Sequence, residues 1–151
     1  MIQRVTSAEV SVEGETVGAI DGGFLLLVGV THRDTESTAS AIAAKIVHLR
    51  LFEDANGQIN RSLIEMRLGD SANASVLVVS QFTLYASTRK GRRPSFSDAA
   101  PGSVADPLIE FFCDQLRGHG IRVAAGRFGA HMQVTLVNDG PVTIWLDSDA
   151  P

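Results

Sequence analysis

Apolar and polar residues alternate along residues 2–12, the period of a half-buried strand. Residues 16–20 carry enough of the same pattern to return as its hairpin partner across Glu13, Gly14 and Glu15. Residues 24–30, Phe-Leu-Leu-Leu-Val-Gly-Val, are apolar on both faces and predict a central strand covered on both sides. The period then changes. Ala39, Ile42, Ala43, Ile46 and Leu49 fall on one stripe of a helix that Asp34 or Thr35 can cap. His48 lies just off that stripe, near the helix end where the dipole favours a cation, and a structural role is expected of it. Short pieces at 51–53 and 58–60 flank the turn-rich Asp54-Ala55-Asn56-Gly57 and read as a hairpin. Residues 65–75 are polar and irregular and read as a surface loop. A second apolar strand is predicted over 76–85, with Ser80 and Phe82 pointing one way and Gln81 and Thr83 the other.

Residues 86–103 show no apolar periodicity, and a loop of that length in a compact domain is often functional. Asp106 and Pro107 read as the cap and first residue of a second helix, with Leu108, Phe111, Phe112 and Leu116 as its buried stripe and Gly118 at its end. Residues 121–125, 131–138 and 142–147 complete the strands, with 126–129 as a bend. The order strands, helix, strands, helix, strands predicts an α/β fold in a single domain over residues 1–151. Its β-sheets are mixed and mostly antiparallel, barrel-like or layered, with two main helices on one side. Asn138-Asp139-Gly140-Pro141-Val142-Thr143 joins the last two strands. An Asp-Gly pair between apolar runs signals a hairpin, but Pro141 has no N–H for the ladder, so a tight two-residue turn does not fit. A trans Gly-Pro bond in an open loop and a cis bond in a fixed bend both satisfy the local sequence.

The chain has 151 residues, 44% hydrophobic and 20% charged, which is an ordinary globular composition sufficient for one core. The single cysteine, Cys113, excludes an internal disulfide and a multi-cysteine metal site; it sits in an apolar helical stretch and reads as a buried, inert thiol in a reducing compartment. The longest apolar run, 24–30, is far short of the ~20 residues a spanning helix needs, so a soluble cytoplasmic protein is expected. A net charge of −4 argues against a general electrostatic hold on nucleic acid. Arg89, Lys90, Arg92 and Arg93 nevertheless lie within five positions, enough to meet a few phosphates.

The usual catalytic signatures are missing: no Gly-x-Ser-x-Gly elbow, His-Glu-x-x-His, phosphate loop or dinucleotide fingerprint. His32, His48, His119 and His131 stand in unrelated contexts without ligand spacing, and neither a metal nor a cofactor is expected. Ser80, Gln81 and Thr83 remain as polar residues on an apolar strand. A buried hydroxyl or amide costs about 1–3 kcal/mol if it finds no partner, so they mark either a half-exposed strand end or a site.

Ser80-Gln81-Phe82-Thr83-Leu84 and Asn138-Asp139-Gly140-Pro141-Val142-Thr143 resemble the two signature motifs, Ser-Gln-x-Thr-Leu and Asn-x-Gly-Pro-x-Thr, of the D-aminoacyl-tRNA deacylases. Segments 3–5, 26–30, 49–54, 89–96 and 126–130 also read as segments of that family. The resemblance implies an enzyme that hydrolyses the ester between a D-amino acid, or glycine, and the terminal adenosine of tRNA. It implies a cis Gly140-Pro141 bond, and a homodimer in which this loop enters the partner's active site. Backbone carbonyls at Gly140 and Pro141 would then crowd an L side chain, with Arg4 holding the loop. Ser80, Gln81, Phe82 and Thr83 would bind the adenosine and position a water. The ribose 2′-hydroxyl, rather than an unactivated Thr83, would assist hydrolysis. Asn138, Thr143, Phe128 and Met132 are the implied substrate contacts, the last two at the adenine pocket. Aminoacylated tRNA is the implied partner, with no role for DNA or a membrane. Three departures from the family pattern are a slightly shorter apolar opening before Gln3-Arg4-Val5, a longer loop over 66–75, and His131, where an acidic residue is common. A competing reading is a non-catalytic RNA-binding domain that uses the 89–93 loop.

Overall fold

The long alternating run at the start becomes β1 (Ile2–Val12), and its hairpin partner becomes β2 (Glu15–Ile20). The fold is a computed structural model that describes residues 1–69 and 74–149. After β3 (Gly23–Val28) come α1 (Glu36–His48), the hairpin β4 (Arg50–Glu53) and β5 (Ile59–Ser62), and a short α2 (Leu63–Leu68). Then follow β6 (Ser75–Ser80), a 3-10 turn (Phe82–Tyr85), α3 (Gly102–Gly118), β7 (Arg122–Ala125) and β8 (Gln133–Ile144).

Six strands make one sheet in the order β2-β1-β3-β6-β7, and β8 pairs with β1. β1 gives one edge to β3 through residues 2–5 and to β2 through residues 8–12, and its other edge to β8; all three pairings are antiparallel. β3, β6 and β7 run parallel, which accounts for the unbroken apolar runs of β3 and β6. The sheet curls until β2 reaches β7. A Cβ on Gly18 would lie 2.6 Å from the Ala125 carbonyl oxygen, so glycine permits the near-closure of the barrel. The result is a mixed α/β domain with a barrel-like sheet and, among the described residues, three α-helices.

Two apolar layers fill it. Val5, Val10, Ile20, Leu25, Leu77 and Val79 pack inside the barrel. Ile2, Phe24, Leu26, Val76 and Val78 point the other way, against Ala43 and Val47 of α1 and Phe112 and Leu116 of α3. β1 thus sends Ile2 to the helical layer but Val5 and Val10 to the barrel interior. β8 does the same, with Val134 and Leu136 inside and Ile144 toward the helices. The switch is made by an irregularity: Gln3 pairs with Thr143 and Val5 with Asn138, which leaves four residues of β8 opposite Arg4. The two strands expected at 131–138 and 142–147 are therefore one strand, and the Asn138–Thr143 stretch is a bulge between two halves that keep the same direction. No hairpin forms, because both halves find their partner in β1.

Four other expectations are corrected. The strand expected over 76–85 stops at Ser80, and that expected over 24–30 stops at Val28. Gln81 N–H donates the last rung to the Val28 carbonyl at 2.7 Å. The 3-10 turn then folds over Gly29, where a Cβ would sit 3.1 Å from the Tyr85 ring. Ser80/Phe82 and Gln81/Thr83 consequently do not alternate across a strand. The loop expected at 65–75 begins as α2, because Ser62 and Glu65 form a capping box; residues 70–73 lie outside the described residues. The second helix expected, α3, starts at Gly102 instead of Pro107 and carries that proline internally, and its added first turn buries Ala105 against Val30 and Ala100. Cys113 is buried as expected, and burial pushes its thiol pKa up.

Candidate active site

The bulge in β8 is pinned from below. Arg4 is 4% exposed, too buried for a surface ion pair, and it reaches three groups. Its Nη1 donates to the Leu51 carbonyl at 2.7 Å, Nε lies 2.9 Å from Asp139 Oδ2, and Nη2 lies 3.9 Å from Glu53 Oε1. The Nε proton is not aimed at Asp139, so that contact is ionic rather than a directed hydrogen bond. Asn138 closes the bulge from the side, donating through Nδ2 to the carbonyls of Arg4 at 2.8 Å and Val142 at 3.0 Å. Gly140 has φ +117°, where a side chain is disfavoured. A Cβ there would lie 2.9 Å from Val142 Cγ2 and 3.2 Å from Arg4 Nη2. The Gly140-Pro141 peptide is cis, and both residues are exposed. The stretch is fixed on its inner side by Arg4 and Asn138, and Gly140, Pro141 and the half-exposed Asp139 carboxylate face outward. Thr143 is exposed and accepts from Gln3 Nε2 at 3.4 Å.

The second motif straddles the end of β6. Ser80 pairs with Val28 in the parallel ladder, and the chain then tightens into the 3-10 turn, with Phe82 and Thr83 exposed. The Gln81 side-chain amide donates to Thr83 Oγ1. That partner is a donor and cannot take a proton from the threonine. Tyr85, at the end of the turn, is pushed up to about 12 by burial and by Asp34, Asp147 and Asp149, so it stays protonated and is no base either.

A cleft runs from this motif to α3. Ser80, Gly126 and Phe128 line one wall and Ile109, Glu110 and Cys113 the other. Phe128 packs on Gly102, where a Cβ would come within 3.3 Å of its ring. Met132 is placed differently: it packs on the barrel-interior cluster, and its sulfur covers Gly126. Phe128 and Met132 therefore approach the Gly126 segment from two sides.

Residues 86–101 form an arm anchored at its base. Ser87 and Ser95 exchange backbone hydrogen bonds at 2.8 and 2.9 Å. Thr31 Oγ1 donates to Asp98 O at 2.7 Å, and Ala100 N–H donates to Val30 O at 2.8 Å. Arg89, Lys90, Arg92 and Arg93 occupy its exposed tip. At its base Phe96 meets Phe82 edge to face, with ring centroids 5.1 Å apart and planes at 78°.

Of the residues singled out in the sequence, the structure gathers Arg4, Asn138, Gly140 and Pro141 in one group, and Ser80, Gln81, Thr83 and Phe128 in another. Among the described residues, no hydrogen bond or ion pair joins the two groups within one chain. Sequence reasoning missed Asp139 as the ionic partner of Arg4, and Phe96 as the ring that meets Phe82. An aromatic residue beside four cations was the available signal for the latter.

Comparison with known proteins first sets the class. A protein of Thermomicrobium roseum named D-aminoacyl-tRNA deacylase is 56% identical over 148 residues, covering 98% of this chain and 92% of the relative. One of Bacillus pumilus with the same name is 55% identical, covering 98% and 97%. The protein is thus an enzyme, a hydrolase. The family model described as D-Tyr-tRNA(Tyr) deacylase matches residues 1–147, and the chain belongs to that family. A solved structure described as c-Myc DNA Unwinding Element Binding Protein superposes with TM-score 0.86 at 39% identity, covering 97% of this chain and 95% of that one. Another, described as that of a probable eukaryotic D-amino acid tRNA deacylase, shares the fold with TM-score 0.75 at 18% identity, covering 93% of each chain.

Proposed function

We propose that the protein is a cytoplasmic homodimeric D-aminoacyl-tRNA deacylase. It hydrolyses the ester of a D-amino acid, or of glycine, on the terminal adenosine of tRNA and spares L-aminoacyl-tRNA. The observation that carries this reading is the pinned backbone at Gly140 and Pro141. A selector of chirality must crowd one substituent of the α-carbon without yielding, and a backbone clamped by Arg4 and Asn138 yields less than a rotatable side chain. The partner subunit is invoked because Gly140 and Pro141 are exposed and β8 is hydrogen-bonded only to β1 among the described residues. The carbonyls of one subunit would then stand over the adenosine site of the other, built from Ser80, Gln81, Phe82, Thr83, Phe128 and Met132, with Asn138 and Thr143 bracketing the selecting loop.

Hydrolysis is substrate-assisted in this reading. Thr83 Oγ1 is held by an amide donor, which supports a binding role over a nucleophilic one. The substrate's 2′-hydroxyl already stands beside the ester and activates or orients the attacking water, and a backbone N–H near Phe82 meets the oxyanion. One assay tests both levels: release of tyrosine from D- and L-tyrosyl-tRNA by wild type and Thr83→Val, with normal and 2′-deoxy terminal adenosine. Rapid loss of D-tyrosine only, retained in Thr83→Val and abolished by the 2′-deoxy substrate, is expected. Salt-sensitive binding without release would favour the RNA-binding reading. Activity lost only in the variant would restore Thr83 as nucleophile.

A further inference from the structure

Three phenylalanines, Phe82, Phe96 and Phe128, are among the exposed large apolar side chains, and all three border the Ser80 motif or its cleft. Phe128 belongs to the cleft proposed for the terminal adenosine. Phe82 borders that site through the motif's backbone, while its ring turns to Phe96 at the base of the arm whose tip carries the four cations. We infer that the Phe82–Phe96 pair is a stacking platform for the nucleotide 5′ of the terminal adenosine, so that the enzyme holds the single-stranded 3′ end of its tRNA and not the last nucleoside alone. The inference rests on the tRNA-ester reading above.

Three features carry it. Phe82 is 58% and Phe96 39% exposed, a cost in water-accessible ring surface that a core contact alone would not require. The rings are nearly perpendicular, so they form a corner: a base can lie on the face of one while the other bounds its edge. The corner is also fixed in place. Phe96 follows directly on the Ser87–Ser95 bridge, and the next residues are tied to Thr31 and Val30. Aromatic rings beside a cationic track are the recurrent means of holding single-stranded nucleic acid without reading its sequence, the rings taking the bases and the cations the phosphates. Arg89, Lys90, Arg92 and Arg93 supply such a track on the same arm.

The test compares Phe96→Leu, which keeps an apolar contact with Phe82 but removes the ring, with Phe96→Trp, which restores a ring. Hydrolysis is measured on D-tyrosyl-tRNA and on D-tyrosyl-adenosine, which has no upstream nucleotide. Phe96→Leu is expected to raise KM for the tRNA about tenfold more than for the adenosine ester, a loss typical of one stacked base, with Phe96→Trp recovering it. Equal losses on both substrates would make Phe96 a support of the motif and overturn the inference; so would no loss on either.

A binding arm separates this outcome from failure of the functional reading. An uncharged RNA oligonucleotide ending in Cyt-Cyt-Ade is compared by fluorescence polarisation with one abasic at the penultimate position. The abasic change should weaken binding to wild type about tenfold and leave Phe96→Leu, already weak, nearly indifferent. Equal sensitivity in both proteins would overturn the stacking assignment whether or not any ester is hydrolysed.

Discussion

Asn138 shows how much of this site rests on one side chain. Its amide nitrogen satisfies two backbone carbonyls, Arg4 on the neighbouring strand and Val142 across the bulge, and so converts four extruded residues into a closed loop. Each such bond contributes a net ~0.5–1.5 kcal/mol, so Asn138→Ala should cost about 1–3 kcal/mol in urea denaturation. Asn138→Asp should be worse at neutral pH. It lacks the donors and sets a carboxylate against two carbonyl oxygens and next to Asp139. If the loop selects by rigidity, both variants also hydrolyse L-tyrosyl-tRNA faster relative to the D-form. An Asp variant as stable as wild type would show that Asn138 does not hold the bulge. The sequence signalled an unusual connection here, since Pro141 cannot complete a tight hairpin. It could not disclose the clamp, because Arg4 lies 134 positions from Asn138 and only the β1–β8 register brings them together.

Among the elements, those set by their own residues were legible and those set by a partner were not. The stripe of α1, the β4–β5 turn and the alternation of β1 are local patterns, and each forms where the pattern falls. β6 ends where β3 ends, at the rung between Gln81 and Val28, although a strand-like alternation of polar and apolar residues continues to Leu84. β8 is continuous because β1 is long enough to receive both halves. The short α2 was legible after all, in the Ser62-x-x-Glu65 spacing of a capping box. Glu65 accepts from Ser62 N–H at 2.6 Å and Ser62 Oγ at 2.8 Å, and these bonds lower its pKa from 4.5. A carboxylate whose folded pKa is depressed adds stability that is present above its unfolded pKa and lost as pH falls through the folded value. Glu65→Gln should therefore be less stable than wild type at neutral pH. The gap should close as pH falls below 4.5 and through the lowered value, as followed by urea denaturation across that range. A gap that persists in acid would mean that packing, and not the charged cap, holds α2.

The whole molecule has a net charge of −4, yet its proposed substrate is a polyanion. The two are compatible only if the cations that meet phosphate are gathered in one place, and the exposed arm tip is such a place. This distribution limits how strongly affinity can depend on salt. With at most four phosphate contacts from Arg89, Lys90, Arg92 and Arg93, the slope of log K against log salt for tRNA should be no steeper than about −3.6. Replacing Arg92 and Arg93 by Gln should flatten it by roughly 1.4–1.8, because each lost contact removes about 0.7–0.9 of counterion release. The Phe96 ring contributes through stacking, so Phe96→Leu should weaken binding at every salt concentration and leave the slope unchanged. Titration of uncharged tRNA over a range of salt measures both effects. A slope that stays steep in the Arg92/Arg93 double variant would move the phosphate contacts elsewhere, to cations such as Arg127 near Phe128. The arm would then act through Phe96 alone.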